Sequence, residues 1–355
     1  MDGDRVLLTS GHDSFVLKGK NIEPLLNGIF AALLETSHTG SVIARLGAVY
    51  PEDAITGILA KLLNRRVLHP SLDAAFSEDA HNEKFTRYFY NFTHAPEKCF
   101  NKLRSARVAL FGAGPLGGHV ALALAGSGLG EISVCDRECL GEDEAAISPL
   151  YAGNASGKEK GASFVEYASR ALPRTKWTAM ADDALDAQHH TGFDYFIACA
   201  EKYDPQLFEK INILAVQTGK PFLWACLDGT KALVGPTVLP HETACFRCYE
   251  TRVMSNADHP EELSALTDFL KQHGNSADFG YLLPHILTVS GIASLEVIKD
   301  LSYLTPPVTY NAQLEINLLT MEYELHPVLK VPRCPVCSRL VASGPPVRPF
   351  MEKAG

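Results

Sequence analysis

The sequence predicts an α/β protein in which a small N-terminal winged-helix module precedes a doubly wound sheet and a four-cysteine zinc site. Three observations support this prediction. Strand-like and helix-like segments alternate from residue 107 onward, a glycine loop separates the first of these strands from the helix after it, and two C-x-x-C pairs occur nearer the C-terminus.

Composition places the chain among ordinary globular proteins. It has 355 residues, of which 46% are hydrophobic and 21% charged. The length allows two or three domains. The net charge of −9 argues against nucleic acid or an anionic membrane surface as the default partner. The first residues show neither the basic nor the apolar region of a signal peptide, so a cytoplasmic location is expected.

Residues 1–68 are predicted to form the winged-helix module. Residues 5–9 and 14–18 have the pattern of short strands, and three helix-like segments follow, the last of them after Pro51. The module lacks a strongly basic helix, which disfavours a DNA-binding regulator, although that class remains an alternative. A strand edge beside a helix can also accept an extended peptide as an added strand.

The main α/β domain is predicted to span residues 106–340, after a connector at 69–105 and before a flexible tail at 341–355. Its first strand covers 108–111, and a helix is expected at 119–126. Further strands are expected at 131–135, 195–199, 221–226 and 235–239.

The glycine loop has the G-x-G-x-x-G spacing of nucleotide-binding folds. Gly112 permits a tight turn, Gly114 allows phosphate to approach the backbone, and Gly117 allows close packing of helix and strand. Asp136 ends the next strand, where a ribose-binding acid is expected. The motif alone leaves two interpretations open, an NAD-dependent dehydrogenase and a nucleotide-adenylating domain.

Cysteine spacing predicts a metal site. The chain has nine cysteines, and four of them form the pairs Cys245–Cys248 and Cys334–Cys337. Two such pairs supply the tetrahedral four-sulfur shell that zinc prefers. Because four protein ligands leave no open coordination position, this zinc is expected to be structural. Chance spacing or a redox pair is the alternative for either pair alone.

The segments around both cysteine pairs resemble the ThiF/MoeB and ubiquitin-activating-enzyme family. The resemblance covers about residues 104–338 and implies a Rossmann-like adenylating fold that uses ATP and magnesium. The family's lysine and magnesium-binding aspartate then fall on Lys160 and Glu201. An asparagine and an arginine of the family fall on Glu144 and Ile147, a departure that implies a vestigial nucleotide site in this chain.

Residues 245–252 and 326–337 resemble, more specifically, the stand-alone ThiF-like partner proteins of YcaO cyclodehydratases. The resemblance implies that the N-terminal module is a RiPP recognition element, which binds the leader of a ribosomally made precursor peptide as an added strand. A separate YcaO chain would then use ATP to form azolines from Cys, Ser and Thr. The family also implies a homodimer.

The predicted peptide groove combines one strand with one helix face. Its candidate residues are Ser14, Phe15, Val16, Leu17, Lys18, Ile55, Leu59 and Leu62. The alternative function is an active ATP-dependent adenylating enzyme that acts on a peptide or carrier-protein carboxylate. In that case Glu201 would bind magnesium and Lys160 would bind phosphate.

Overall fold

The structure, a computed structural model, describes most of the chain. The described residues are 4–10, 13–71, 80–93, 95–142, 145, 148–151, 157–180, 190, 192–276 and 280–338. They divide into two units, with the division near residue 100. Within the described part, no helix is both long enough and apolar enough to cross a membrane.

The first unit begins with two strands and three helices, in the predicted order. These are β1 (Arg5–Ser10), β2 (Asp13–Lys18), α1 (Ile22–Leu33), α2 (Thr39–Leu46) and α3 (Glu52–Asn64). Pro51 precedes α3 with extended backbone, and Glu52 and Asp53 supply negative charge to its first turn. The apolar stripes of the helices meet in one core, in which Ile29 and Leu62 are fully buried.

The segment predicted as a connector contains two helices. They are α4 (Ala80–Tyr90) and α5 (Pro96–Ser105). The Tyr90 hydroxyl donates to the Pro70 carbonyl at 2.8 Å, and its ring stacks on His69 with centroids 4.1 Å apart. The residues that follow α3 are therefore fixed to α4 by specific contacts.

The second unit is built on an eight-stranded sheet with helices in the connections. Its strands are β3 (Arg107–Phe111), β4 (Glu131–Cys135), β5 (Lys176–Ala179), β6 (Tyr195–Ala200), β7 (Phe222–Asp228), β8 (Lys231–Val234), β9 (Ala312–Asn317) and β10 (Glu322–Pro327). Its helices are α6 (Pro115–Gly126), α7 (Lys160–Ala171), α8 (Pro205–Thr218), α9 (Phe246–Ser255), α10 (Pro260–His273) and α11 (Leu283–Ser302).

The strand order of this sheet is β10-β9-β8-β7-β6-β3-β4-β5. The pairs from β5 to β7 are parallel, whereas those from β7 to β10 are antiparallel. The central strands β3, β6 and β7 are almost entirely buried, as expected for parallel strands covered on both faces. The chain reverses its direction of winding between β3 and β6, where open α/β sheets bind ligands.

One predicted strand is corrected by the structure. Residues 235–239 form only isolated bridges, at Thr237 and Val238, and the strand of this region is β8, immediately before them. Gly235 has a φ of +78°, and Pro236 has no N–H to donate to a ladder. The regular antiparallel pairing of β8 therefore stops at Val234.

Strand β10 forms one edge of the sheet, and all six of its residues are exposed. Tyr323 and Leu325 alternate with Glu322 and Glu324 along it, so that one face of the strand is apolar and the other acidic.

Candidate functional site

The glycine loop after β3 is shaped by close backbone contacts. Gly112 has a φ of +90°, and a Cβ atom there would lie 2.1 Å from the Cys199 carbonyl oxygen. A Cβ atom on Gly117 would lie 1.9 Å from the Gly112 carbonyl oxygen. Both positions therefore require glycine, and they allow α6 to start directly against the sheet.

A cavity of about 480 Å³ opens at the carboxyl ends of β3, β4 and β6. Its walls contain five of the six residues that the sequence assigns to a nucleotide site. These five are Gly112, Gly114, Asp136, Lys160 and Glu201. Gly117 is buried and supports the packing of the loop instead.

Asp136 is held by backbone donors at the end of β4. Its Oδ2 accepts from Ala113 N at 2.7 Å, and its Oδ1 accepts from Glu138 N at 3.0 Å. Burial raises the pKa of the Asp136 carboxyl above its ordinary value, and the two hydrogen bonds oppose that shift. Each oxygen keeps a second lone pair, so the carboxylate can still accept from a ligand hydroxyl.

Lys160 is the first residue of α7, and its side chain is mostly buried. Its Nζ lies 3.0 Å from Glu138 Oε2. The carboxylate of Glu138 is largely exposed, so that solvent screens this ion pair. The lysine thus brings a positive charge to the cavity wall.

Glu201 follows β6 and reaches across to the start of α6. Its Oε1 accepts from Leu116 N at 2.7 Å. A Cβ atom on Gly114 would lie 2.4 Å from Oε2 and 2.6 Å from Oε1, so this glycine gives the carboxylate its space.

Three cations of this cavity, Arg137, Lys202 and Lys210, were not predicted from the sequence. Lys210 shares one face of α8 with Leu207 and Ile211, which line the same wall. Helical spacing could have placed these three residues together, but not beside the glycine loop. Glu144 and Ile147, where the resemblance places lost family residues, lie outside the described residues.

The four cysteines of the two C-x-x-C pairs form one buried cluster, and all their ligand atoms lie within 4.8 Å of one another. The Sγ–Sγ distances are 3.8 Å for Cys245–Cys248, 3.6 Å for Cys245–Cys334 and 3.5 Å for Cys248–Cys337. Tetrahedral zinc with Zn–S bonds of about 2.3 Å requires sulfur atoms roughly 3.8 Å apart. The cluster therefore fits a four-coordinate metal ion.

The local structure around the cysteines places their sulfur atoms where they could bind a cation. Cys245 lies at the N-cap of α9, which places Cys248 one turn later on the same helix. Val331 N donates to Cys248 Sγ at 3.3 Å. Hydrogen bonding to the Cys248 and Cys337 sulfurs, together with burial, raises the pKa of the Cys245 thiol. A raised pKa means that forming the thiolate costs free energy, and a divalent cation would offset this cost by stabilising the thiolates.

The free edge of β2 is the peptide-binding candidate in the first unit. Strand β2 pairs only with β1 among the described residues, in an antiparallel register that places Val16 opposite Leu7. Gly19 N donates to Asp4 O at 3.0 Å, which marks this pair as hydrogen-bonded. Hydrogen-bonded and non-hydrogen-bonded pairs alternate along the ladder, so the backbone groups of Ser14, Val16 and Lys18 point away from β1.

The structure corrects the helix side of the predicted groove. Ile55, Leu59 and Leu62 are at most 4% exposed, because they pack in the core of the first unit. Leu17 is buried in the same core, and Phe15 packs against it. The buried side chains support the β2 edge from beneath and offer no open surface to a peptide, whereas Phe15 is only partly buried.

A larger cavity, of about 690 Å³, lies between α9 and α10. Lys271 on α10 pairs with Glu209 at 2.9 Å and with Glu250 at 2.8 Å. Helix α10 has no buried residue, so these ion pairs are prominent among the contacts that hold it.

Comparison with known proteins agrees with this architecture. The ThiF family model matches residues 88–336. Protein HesA of Leptolyngbya boryana is 25% identical over 245 residues, which cover 68% of this chain and 80% of HesA. The adenylyltransferase and sulfurtransferase uba4 of Aspergillus niger is 28% identical over 220 residues, which cover 58% of this chain and only 42% of uba4.

Among solved structures, E. coli MccB with ATP aligns with a TM-score of 0.68 at 19% identity, covering 94% of this chain and 98% of MccB. MccB, a microcin C7 biosynthetic enzyme, in complex with N-formylated MccA aligns with a TM-score of 0.69 and the same coverage. At this identity the likeness shows a shared fold. Because the family model covers well over half of the sequence, the chain belongs to the ThiF family.

Proposed function

We propose that this chain binds the leader segment of a ribosomally made precursor peptide and presents it to a separate YcaO cyclodehydratase, which forms heterocycles from Cys, Ser and Thr. The observation that carries the proposal is the open edge of β2, where Ser14, Val16 and Lys18 offer outward backbone groups. An extended peptide can pair with this edge through main-chain hydrogen bonds. Holding the leader there would raise the effective concentration of the rest of the peptide at the enzyme.

Two further observations support peptide capture. The side chains of Val16 and Leu7 are about half and two thirds exposed on one face of the hairpin, so they are open to contact with a bound segment. The alignment with MccB, which has been solved with N-formylated MccA, extends over nearly the whole of both chains and so includes the first unit. The YcaO partner itself rests on the resemblance of residues 245–252 and 326–337.

The cysteine cluster has a structural role in this proposal. Zinc is the metal that best fits four thiolates at these distances. Cys245, Cys248, Cys334 and Cys337 would hold it with no coordination position left for a substrate.

Peptide capture can be tested by fluorescence polarisation with fluorescein-labelled 20-residue segments from short open reading frames beside this gene. The Val16→Pro variant removes the central outward N–H of β2 but no hydrogen bond of the hairpin. We expect at least a tenfold loss of affinity, with metal content unchanged.

The matched control is Leu7→Pro, at the position opposite Val16. It removes an outward N–H from the other edge of the same hairpin. The two variants impose the same backbone restriction, so damage to the hairpin itself would lower affinity in both. Unchanged affinity in Val16→Pro would refute peptide pairing along β2. Equal loss in the two variants would attribute the effect to damage of the hairpin.

A second candidate function is adenylation of a peptide or carrier-protein carboxylate by this chain. The cavity favours it, because Asp136, Lys160 and Glu201 come together beside the glycine loop. Peptide-dependent exchange of radiolabelled pyrophosphate into ATP would establish this activity. Absence of exchange, combined with tight leader binding, would favour the first proposal, in which this chain presents the peptide to a separate enzyme.

A further inference from the structure

The N-terminus of α6 is capped by a carboxylate from this chain. Pro115, the first residue of the helix, has no N–H, so Leu116 provides the first amide donor. That donor binds Glu201 Oε1 at 2.7 Å. Free amides and the helix dipole make such a terminus a binding site for phosphate. Glu201 therefore occupies the place in which a phosphate oxygen would be bound.

Most other donors of the loop are engaged as well. Residues 112–118 contain six N–H groups, since Pro115 has none, and four of them have acceptors within the chain. These four bonds are Gly112 N to Cys135 O, Ala113 N to Asp136 Oδ2, Leu116 N to Glu201 Oε1 and Gly118 N to Gly114 O. Only Gly114 N and Gly117 N remain without an acceptor among the described residues.

The Glu201 carboxylate also lies close to one of these remaining donors. Both of its oxygens are within 2.6 Å of the position that a Cβ atom of Gly114 would take. A phosphate approaching the Gly114 amide would therefore meet a carboxylate of the same charge. The cavity lining balances four basic side chains against four carboxylates, so overall charge does not exclude anions from it. The basic side chains are Arg137, Lys160, Lys202 and Lys210, and the carboxylates are Asp136, Glu138, Glu201 and Asp204. The exclusion comes from where Glu201 is placed.

We propose that Glu201 is an internal substitute for phosphate, which closes the glycine loop to nucleoside di- and triphosphates. The carboxylate satisfies the helix terminus that a phosphate would otherwise bind. This inference concerns the glycine-loop cavity and is independent of peptide capture by the first unit.

The test is calorimetric titration of the full-length, metal-loaded protein with Mg-ATP and, separately, with Mg-pyrophosphate. We expect no detectable binding by the wild-type chain. Glu201→Ala removes the acceptor of the Leu116 amide. We expect this variant to bind both probes with an affinity at least ten times the weakest that the titration can detect. Glu201→Gln removes the charge but retains the volume, so a smaller gain is expected.

Asp204→Asn is the matched control. Asp204 lines the same cavity and also caps a helix, because its Oδ1 accepts from Leu207 N of α8 at 3.0 Å. Among the described residues, Asp204 makes no hydrogen bond to the glycine loop. If removal of one carboxylate from the cavity were sufficient for binding, this variant would gain affinity as Glu201→Gln does.

Two outcomes would overturn the inference. Binding of Mg-ATP by the wild type that weakens in Glu201→Ala would make Glu201 a ligand for the nucleotide's metal. A Glu201→Ala protein with normal metal content and cooperative thermal unfolding, yet no gain in binding, would show that this carboxylate does not exclude phosphate. Neither result would alter the comparison of Val16→Pro with Leu7→Pro.

Discussion

The sulfur atoms of Cys248 and Cys337 lie 3.5 Å apart, although 89 positions separate the two residues in the chain. Cys248 belongs to α9, and Cys337 lies beyond β10. A shared metal ion would thus fasten the segment after the last strand to the helix that precedes α10. We therefore expect the stability of the second unit to depend on the metal.

The first prediction concerns this cluster. Metal analysis should find about one zinc per wild-type chain and clearly less in Cys337→Ser, because one of four thiolate ligands is lost. The melting temperature should fall in the same variant and in chelator-treated wild type. Cys139→Ser is the control, since Cys139 is exposed and outside the cluster. Full zinc content in Cys337→Ser would contradict a four-sulfur site.

The second prediction compares two glycines of α6. Gly117→Ala forces a Cβ atom to within 1.9 Å of the Gly112 carbonyl, and it should lower the free energy of unfolding by about 3 kcal/mol or more. Gly126→Ala meets no atom within 4 Å and should raise it by up to about 1 kcal/mol. Urea denaturation measures both. Similar stability of the two variants would disprove the close packing of loop and helix.

The third prediction concerns the burial of Ile55, which is fully enclosed in the first unit. Ile55→Val should lower the free energy of unfolding by about 1 kcal/mol and leave leader affinity unchanged, because the side chain supports β2 without reaching the surface. Val49→Ala, at a position that is 73% exposed, should change stability by less than about 0.5 kcal/mol. A tenfold loss of leader affinity in a folded Ile55→Val variant would indicate instead that Ile55 contacts the bound peptide.

The fourth prediction concerns pH. Burial raises the pKa of Asp136 above the ordinary value of 3.8. The folded state therefore binds this proton more tightly than the unfolded state does. The contribution of the protonated Asp136 carboxyl to stability is therefore complete below pH 3.8, the ordinary pKa, and is lost as the pH rises through the pKa of the folded state.

Asp136→Asn should remove this dependence. Urea denaturation at a series of pH values from about 4 upward should show a flatter stability profile in the variant than in the wild type. Superimposable profiles would indicate that the carboxyl titrates alike in the folded and unfolded states.

The sequence was sufficient where local spacing determines chemistry. The two C-x-x-C pairs predicted a tetrahedral cluster, because ligand number and spacing constrain a metal site strongly. The glycine loop after β3 and Asp136 at the end of β4 line one cavity, because parallel strands bring their carboxyl ends together. The strands and helices of the first unit followed from their hydrophobic periodicity.

Contacts between residues that are distant in the chain could not be predicted from the sequence. Nothing in the spacing shows that Glu201 reaches Leu116, 85 positions earlier, since only the strand order of the folded sheet brings them together. The apolar stripe of α3 indicated Ile55 and Leu62, but periodicity does not distinguish the floor of a groove from a closed core. The apolar run after Gly235 resembled a strand, and Pro236 ended the pairing before it.

Strand β10 has a consequence for solubility. Its outer edge has no neighbouring strand among the described residues, and an open edge is a template for uncontrolled association between chains. The negative charges of Glu322 and Glu324 oppose the stacking of identical edges, and Pro327 cannot donate where the strand ends. Replacing these two glutamates with threonine should therefore promote aggregation at high concentration, while the fold of the single chain stays the same.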